Sequence, residues 1–365
     1  MKSRKRLLFP VLINLILIIF FLLICLVPFI RSGSSWLIST LGLGFPYLLG
    51  LMLAMLVYWI FRLKRKAGLW MTALNLFVLI LGVTQIRASI GFHFFSKSET
   101  LEKKGDIRVM SWNVTGWDIR SWDIKNHETY QPLMFDLIEQ INPDVMLFQE
   151  FFNCTKPSMV VSYVKLLSER GYPYYFYSPQ SITVNGAFQS GLAIFSKHPI
   201  SDTAFFYPKS LGHAEGIQYG DIAINGRKYR FFNTHLESAG IGDDGAASSG
   251  EVGAGTFFRK LRNSHYVREQ QAQVLKQKLN ESTLPVILGG DFDDVPNSTV
   301  YFLLRKGLQD AFVKKGSGFG RTFRFIAPNL RIDYLFFSKN FEVNQFFEVR
   351  KDYSVHYPIV ADLSD

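Results

Sequence analysis

The chain has little cysteine, and its first 99 residues have almost no acidic side chains. Its 365 residues include two cysteines, Cys25 and Cys154, which excludes both a disulfide framework and a cysteine-based zinc cluster. Residues 1–99 contain 11 of the 40 Lys and Arg residues and a single acid, Glu99. The rest of the chain contains 29 basic and 29 acidic residues, so the net charge of +10 belongs to the N-terminal part. The charge-balanced C-terminal part gives no sign of the basic surface that nucleic-acid binding requires.

Three apolar runs occupy most of the N-terminal part. A transmembrane helix needs about 20 consecutive apolar residues. The first two runs reach that length, and the third reaches it only if it continues past Arg87. The runs have no polar face, which argues against buried helices of a globular core. We therefore predict a membrane anchor over residues 1–95, with transmembrane helices at about residues 7–30, 36–61 and 69–90.

The positive charges of the anchor indicate its orientation. They cluster before the first run and between the second and third runs, at Lys2, Arg4, Lys5, Arg6, Arg62, Lys64, Arg65 and Lys66. Because loops rich in Lys and Arg stay in the cytoplasm, three crossings place the chain after about residue 96 outside it. We predict a multi-pass protein of the cell (inner) membrane whose partner is the lipid bilayer; no obligate protein partner is indicated. If the third run does not cross, the C-terminal part lies in the cytoplasm instead.

The pattern changes after residues 96–105, which have the polar composition of a linker. Short runs rich in β-branched and aromatic residues predict strands at 107–114, 144–149, 174–177, 192–196, 221–224, 229–234, 286–288 and 332–337. Helical periodicity predicts helices at 132–140, 159–170 and 266–279. This mixture predicts one α+β domain over residues 106–365, built on packed sheets.

Polar side chains stand where several predicted strands end, at positions that burial alone would not fill with polar groups. They are Asn113, Glu150, Asn233, His235, Asp291 and Asp293, and two more, Asp333 and His356, lie in later strand-like runs. Asp291 and Asp293 are two residues apart, so in an extended chain their carboxylates point the same way. Taken singly, each residue fits an Asx turn, a cap or a hydrogen-bonded core histidine. Together, these oxygen ligands and two histidines suit a Mg²⁺ or Mn²⁺ site with a general base.

The ordered motifs of this region resemble those of the endonuclease/exonuclease/phosphatase (DNase I-like) superfamily, and among its members the membrane-anchored bacterial ones. The motifs are WNV, QE, SGLAIFSKHPI, NTHLES, GGDFDDVPNS, RIDYLFFS and SVHYPI, and the resemblance covers residues from about 106 to 365. It implies a four-layer α/β/β/α sandwich with the active site at one edge of the two packed sheets. It also implies metal-dependent hydrolysis of phosphate esters by in-line attack of water, on substrates that range in the superfamily from nucleic acids to inositol phosphates and sphingomyelin.

The resemblance assigns one group of residues to the metal ion and the attacking water. It implies that Glu150 is the main carboxylate ligand of Mg²⁺ or Mn²⁺ and that Asn113 beside it contacts the metal or the scissile phosphate. It implies that Asp291 orients or deprotonates the water and that Asp293 helps to hold the water or the phosphate.

A second group is assigned to the phosphate itself. The resemblance implies that His235 donates a hydrogen bond to a phosphate oxygen, with Asn233 supporting it at the phosphate. It implies that His356 contacts the phosphoryl group in the transition state and that Asp333 fixes the tautomer of His356.

The sequence departs from the family pattern at two positions, and three functions remain open. Asp293 stands where the family usually has Asn, and Val355 stands where it usually has an Asp next to the last histidine. The first function is a membrane-anchored phosphodiesterase or phosphatase, with lipid-linked phosphates as the favoured substrates because of the membrane location and the balanced charge. The second is an endonuclease or exonuclease, whose activity would fall steeply with salt. The third is a non-catalytic or weakened binding domain, because valine cannot ligate a metal.

Overall fold

The computed structural model of the chain describes residues 2–30, 36–93, 101–118, 130–156, 158, 161–183, 185–207, 215–240, 254–325, 327 and 330–365. The helices are α1 (Lys2–Cys25), α2 (Trp36–Leu41), α3 (Phe45–Ile60), α4 (Lys66–Leu81), α5 (Val83–Ser89), α6 (Gln131–Ile141), α7 (Tyr163–Glu169), α8 (Ala254–Glu281), α9 (Thr299–Arg305) and α10 (Ala311–Lys315). Short 3₁₀ turns lie at Val27–Phe29, Gly42–Gly44 and Thr115–Asp118. The strands are β1 (Gly91–Phe92), β2 (Ile107–Asn113), β3 (Val145–Cys154), β4 (Tyr174–Thr183), β5 (Phe188–Ser196), β6 (Ile200–Phe206), β7 (Ile217–Ile224), β8 (Arg227–His235), β9 (Val286–Asp291), β10 (Leu308–Asp310), β11 (Ser317–Gly318), β12 (Asp333–Ser338), β13 (Glu342–Glu348) and β14 (Ile359–Ser364).

Twelve of these strands form two six-stranded sheets in the C-terminal part of the chain. The first sheet has the order β13-β14-β2-β3-β5-β4, and the second has the order β10-β12-β9-β8-β7-β6. Each sheet contains one parallel pair at its centre, β2 with β3 in the first and β8 with β9 in the second. The other neighbours in both sheets are antiparallel.

The central strands are apolar on both faces, and this pattern produces four layers. Successive side chains of a strand point to opposite faces of its sheet. In β2, Val109 packs in the core between the sheets, whereas Met110 packs in the cluster that contains α6 and α7. In β9, Ile287 belongs to the core between the sheets and Leu288 to the cluster that contains α8 and α9. The order is therefore helix, sheet, sheet, helix, as the family resemblance implies.

All eight predicted strands correspond to strands of the structure, and four strands of the two sheets were not predicted. These four are β6, β10, β13 and β14. In β14 the reason is visible, because Asp362 interrupts the apolar run yet is completely buried in a pair with Arg108. The helix predicted at 159–170 begins at Tyr163. The Ser162 hydroxyl caps it by accepting from the Lys165 backbone N–H at 3.3 Å. Residues 159 and 160 lie outside the described residues.

Two N-terminal stretches are long and apolar enough to cross a membrane, Leu7–Phe29 and Trp36–Ile60. The third predicted span is not one straight helix, because α4 and α5 meet at an angle of 61°. The break falls at Gly82, where a Cβ atom would lie 2.2 Å from the Phe21 ring of α1, so the glycine permits the close approach of α1. Large apolar side chains such as Trp70, 71% exposed, cover the outside of these helices.

The C-terminal domain is docked on one end of the N-terminal helices. Asn297 donates to the Ser89 hydroxyl at 2.8 Å, and Arg331 donates to the Ala88 carbonyl. Strand β1 pairs with β11 of the domain, so the contact includes backbone hydrogen bonding. This end lies opposite the basic loop at residues 62–66, because α3 and α4 both run between the two ends.

The predicted linker at 96–105 becomes part of the domain before its predicted end. Residues 94–100 lie outside the described residues. Beyond them, Lys103 forms an ion pair with Asp144 at 2.6 Å, and Arg108 donates to the Leu101 carbonyl at 2.6 Å. The Arg108 side chain, 2% exposed, also binds both carboxylate oxygens of Asp362, at 2.7 and 2.8 Å. This buried pair therefore joins the start of the domain to its last strand.

We predict that Arg108→Met lowers the free energy of unfolding by about 3–5 kcal/mol, because it leaves Asp362 charged, buried and without its partner. The measurement is urea unfolding of the detergent-solubilised full-length chain, followed by tryptophan fluorescence. The matched control is Arg227→Met, which removes an exposed guanidinium that pairs with Asp365 and is expected to cost much less, because solvent screens such a pair. Equal losses in the two variants would contradict the importance given to the buried pair.

Candidate functional site

Strand directions bring five of the predicted site residues to one edge of the sandwich. Asn113, His235 and Asp291 are the last residues of β2, β8 and β9. Asp333 begins β12 and lies directly opposite Asp291 in the antiparallel pair. His356 lies shortly before β14, which runs antiparallel to β2. The carboxyl ends of the parallel strands and the amino ends of their antiparallel neighbours therefore meet at the same edge.

Glu150 reaches this edge in a different way from the one predicted. It does not end its strand, because β3 continues to Cys154. The pairing of β3 with β5 shifts register between Phe148 and Phe151, and Glu150 has a φ of 47° within this irregularity. The extra residue turns the Glu150 side chain out of the regular alternation, which is a common use of β-bulges next to active sites.

The Asn113 amide connects the two carboxylates nearest to it. Its nitrogen donates to Glu150 Oε1 at 3.0 Å and to Asp291 Oδ2 at 3.1 Å. Its oxygen accepts from the Thr115 backbone N–H at 3.0 Å. In this arrangement Asn113 holds the carboxylates together, and its oxygen is turned away from them towards Thr115.

Asp291 is the centre of the site and is almost completely buried. Its Oδ2 lies 3.5 Å from His356 Nε2 and 3.7 Å from His235 Nε2, and its Oδ1 accepts from the Asp293 backbone N–H at 3.0 Å. Burial, followed by repulsion from the carboxylates of Asp293 and Asp333, raises the pKa of Asp291 from 3.8 to about 8. Two imidazoles and one amide thus surround a carboxyl group that holds a proton unusually well.

His356 is fixed by a carboxylate behind its ring. Its Nδ1 lies 3.0 Å and 3.2 Å from the two oxygens of Asp333, so Nε2 is the nitrogen that faces Asp291. Phe323 packs edge-on against the imidazole with the ring centroids 5.1 Å apart. Burial lowers the pKa of His356, but the charges of Asp333 and Asp291 outweigh this effect and raise it to about 10. The ring is therefore a positioned cation at neutral pH.

His235 and Asp293 form a second pair, nearer to the surface. Nε2 of His235 lies 3.3 Å from Oδ2 of Asp293. Burial lowers the pKa of His235, but the hydrogen bond that it donates to Asp293 and the nearby carboxylate of Asp291 raise it well above 6.5. Burial opposes the ionised form of Asp293, but the hydrogen bond that it accepts from His235 prevails and lowers its pKa. Asp293 has a φ of 50°, which an Asp tolerates better than most side chains.

Asn233 is not brought to the edge with the other residues. It lies on β8 two residues before His235 and is fully buried. Its nitrogen donates to the carbonyls of Phe148 and Ala193 at 2.8 and 3.2 Å, and its oxygen accepts from Gln149 at 2.7 Å. These bonds join the two sheets inside the sandwich, so the position does not fit the predicted contact with a substrate phosphate.

Ser354 is a residue of the site that sequence reasoning missed. Its hydroxyl donates to the Asn113 carbonyl at 2.8 Å and accepts from the His356 backbone N–H at 3.3 Å. It also lies 3.0 Å from the Thr115 hydroxyl. The serine therefore connects the loop that carries His356 to the end of β2. Its place two residues before His356 in SVHYPI was the signal available in the sequence.

The chemistry of the donors fits a divalent metal ion. Two sets of side chains among the described residues have ligand atoms within 4.8 Å of one another: His235, Asp291 and Asp293, and Asp291, Asp333 and His356. The second set is better explained as a hydrogen-bonded histidine pair, because Asp333 faces Nδ1 of His356 directly. Glu150 lies beside the first set, linked to Asp291 through one amide nitrogen. Oxygen atoms of this kind are the ligands that Mg²⁺ and Mn²⁺ prefer.

Residues 110–352 match the sequence model described as the Endonuclease/Exonuclease/phosphatase family, and residues 5–89 match one described as a domain of unknown function. No curated protein matches the chain.

Solved structures share the fold of the C-terminal domain. The human Nocturnin catalytic domain with bound sulfate anion is 20% identical, covers 72% of this chain and 96% of its own, and has a TM-score of 0.53. The endonuclease/exonuclease/phosphatase from Bacteroides vulgatus is 17% identical, covers 71% of this chain and 99% of its own, and has a TM-score of 0.52. The endonuclease/exonuclease/phosphatase from Beutenbergia cavernae is 19% identical, covers 71% of this chain and 72% of its own, and has a TM-score of 0.51.

We predict that Asp333→Asn lowers the pKa of His356 in the metal-free protein, because it removes the largest of the charges that oppose burial. A raised histidine pKa means that the His356 contribution to stability is complete below 6.5 and is lost as pH rises through about 10. The variant should show a smaller loss, which urea unfolding at pH 6 and pH 10 measures, and imidazole NMR reports the pKa itself. The control is Asp352→Asn at an exposed carboxylate. A His356 pKa unchanged by Asp333→Asn would refute the pairing.

Proposed function

Because the chain belongs to the endonuclease/exonuclease/phosphatase family, we propose that it is a membrane-anchored, divalent-metal-dependent phosphoester hydrolase. Members of this family hydrolyse phosphate esters. The observation that carries it is the convergence of three carboxylates and two histidines around Asp291 at one edge of the sandwich.

Glu150 is the residue that would hold Mg²⁺ or Mn²⁺, with Asn113 beside it. When bound, the ion supplies positive charge that polarises the phosphoryl group and lowers the pKa of a bound water. The primary carboxylate, Glu150, is retained in this chain even though Val355 offers no ligand. We therefore favour an active enzyme over a domain that only binds.

Asp291 is placed to accept the proton of the attacking water. Above its raised pKa of about 8 the carboxyl group is ionised and can accept that proton. Its remaining hydrogen bonds, from Asn113 and from the Asp293 backbone, hold the carboxylate in one orientation. A fixed base removes part of the entropy barrier of the reaction.

The two histidines stabilise negative charge on the phosphoryl oxygens. Both have raised pKa values and so carry protons at neutral pH. Asp333 holds Nδ1 of His356 and so keeps Nε2 directed into the site, whereas Nε2 of His235 itself lies between Asp293 and Asp291. Preorganised donors of this kind lower the barrier because they need no reorientation as charge develops.

We favour a phosphate ester carried by a membrane lipid as the substrate. The domain is docked on helices that can cross a membrane, at the end opposite the basic loop at residues 62–66. By the positive-inside rule this end is extracytoplasmic. The balanced charge of residues 100–365 argues against a track for a nucleic-acid backbone.

We predict that the full-length protein releases p-nitrophenol from bis(p-nitrophenyl) phosphate or p-nitrophenyl phosphate with Mg²⁺ or Mn²⁺ and not with EDTA. Glu150→Gln should lower kcat by about 100-fold or more, above the range usual for the loss of an outer-shell partner. The control is Glu342→Gln, which removes an exposed carboxylate on β13. Turnover that survives both EDTA and Glu150→Gln would defeat the metal-dependent mechanism.

We predict that the basic loop at residues 62–66 and the C-terminal domain face opposite compartments. Lys64→Cys should react with a membrane-impermeant maleimide only in inside-out vesicles, and Lys351→Cys only in right-side-out vesicles. The unmodified chain measures the background from Cys25 and Cys154, of which Cys154 is buried. Labelling of both introduced cysteines only in inside-out vesicles would place the domain in the cytoplasm.

A further inference from the structure

A cavity of about 240 Å³ lies between the candidate site and the N-terminal helices. Asp293 lines it at the site, and Thr40 and Leu43 line it at the anchor. The site and the anchor therefore share one continuous space, although they are more than 250 residues apart in sequence.

The wall of this cavity is mainly apolar. Val295, Phe323, Leu330 and Ile332 form a small hydrophobic cluster, and all four line the cavity. Val355, the neighbour of His356, packs against the same cluster. An apolar cavity is poorly hydrated and takes up apolar ligands readily. Nothing in the phosphoryl chemistry requires such a wall, so it indicates a hydrocarbon part of the substrate.

Charged side chains also line the cavity, at the candidate site and next to it. They are Asp293 of the site itself, its neighbour Asp294, and Arg268, whose Nε is 3.7 Å from Asp294 Oδ2. Arg268 is held in place because it donates to the Glu237 carbonyl at 2.9 Å. A ligand with a charged head and an apolar chain matches this division, because its head would lie beside Asp293 and its chain along the apolar wall.

The anchor forms its part of the wall through close contacts. A Cβ atom at Gly42 would lie 2.8 Å from the Asn297 carbonyl, so this glycine lets the turn between α2 and α3 approach the domain. Trp36 of α2 packs against Phe258 of α8 with the ring centroids 6.4 Å apart. The segment that carries Thr40 and Leu43 is thus packed against the domain on both sides of the cavity.

We propose that the cavity holds the hydrocarbon chain of a membrane lipid whose phosphate ester lies at the candidate site. This inference rests on the proposed function and deepens it, because it assigns part of the substrate-binding surface to the N-terminal helices. The chain enters from the bilayer, since Leu43 lies within Trp36–Ile60, a stretch that is long and apolar enough to cross it. The anchor is then a component of the binding site as well as an attachment.

The test compares two p-nitrophenyl phosphodiesters, one with a methyl group and one with a dodecyl chain, on the full-length protein in one detergent. The ratio of kcat/KM for dodecyl over methyl should exceed about tenfold, because each methylene buried in an apolar pocket contributes to discrimination. Leu43→Trp, which fills the cavity from the anchor, and Leu261→Trp, which fills it from α8, should each lower that ratio about tenfold. The matched control is Leu37→Trp, an exposed position on α2, which should keep the wild-type ratio.

A second readout separates the cavity from the chemistry. Native mass spectrometry should show that the wild type retains dodecyl phosphonate, that Leu43→Trp does not, and that none of the proteins retains methyl phosphonate. Hydrolysis without chain-length preference, or equal ratios for Leu43→Trp and Leu37→Trp, would overturn the lipid-chain inference and leave the hydrolase intact. Absence of hydrolysis of either ester, with dodecyl phosphonate retained only when Leu43 is present, would overturn the hydrolase and support the cavity. Equal retention by all the proteins would overturn the cavity assignment.

Discussion

Repulsion among buried carboxylates is the constraint on which the candidate site depends. Asp291 lies in direct reach of two imidazoles, and both Asp293 and Asp333 raise its pKa by their charge. Removing such a group from water is costly unless an opposite charge compensates for it. His235 and His356 provide that compensation, and their raised pKa values are the other side of the same interaction. The arrangement that makes burial of these carboxylates costly also supplies the acids of the site, His235 and His356, and its base, Asp291.

The two sheets hold these charges together through strand direction and two local irregularities. The parallel pair of β8 and β9 places His235 directly opposite Asp291 in the register. The parallel pair of β2 and β3 places Asn113 beside Gln149, and the bulge then turns the next residue, Glu150, into the site. Positive φ values at Glu150 and Asp293 cost on the order of 1–3 kcal/mol each. The surrounding packing must offset that strain, which is why both positions lie next to strands buried on two faces.

The sequence predicts the site better than it predicts the edges of the fold. Residues in ordered motifs, such as Asp291 and His356, come together as predicted because strand ends follow from periodicity. Asn233 shows the limit, since alternation correctly places it on the face of His235 but does not show its depth in the sandwich. Strand β14 was not predicted because an Asp such as Asp362 is expected to be solvent-exposed. Its burial depends on the ion pair with Arg108, which lies 254 residues away in the sequence. Gly82 likewise reads as part of a span until the Phe21 ring is placed against it.

The contact between the anchor and the domain has a consequence for how the protein works. A flexible tether would let the site sample many orientations relative to the bilayer. Here Asn297 and Arg331 bind the end of α5, and the β1–β11 pairing adds a backbone contact next to it. Arg331, itself buried, also pairs with Asp310 at 3.0 Å, so its bond to the anchor is tied to the core of the domain. The site therefore keeps one orientation relative to the helices, with its apolar cavity adjoining them. A fixed orientation of this kind gives little advantage for a freely diffusing substrate, and it fits the substrate proposed above, a phosphate ester carried by a membrane lipid.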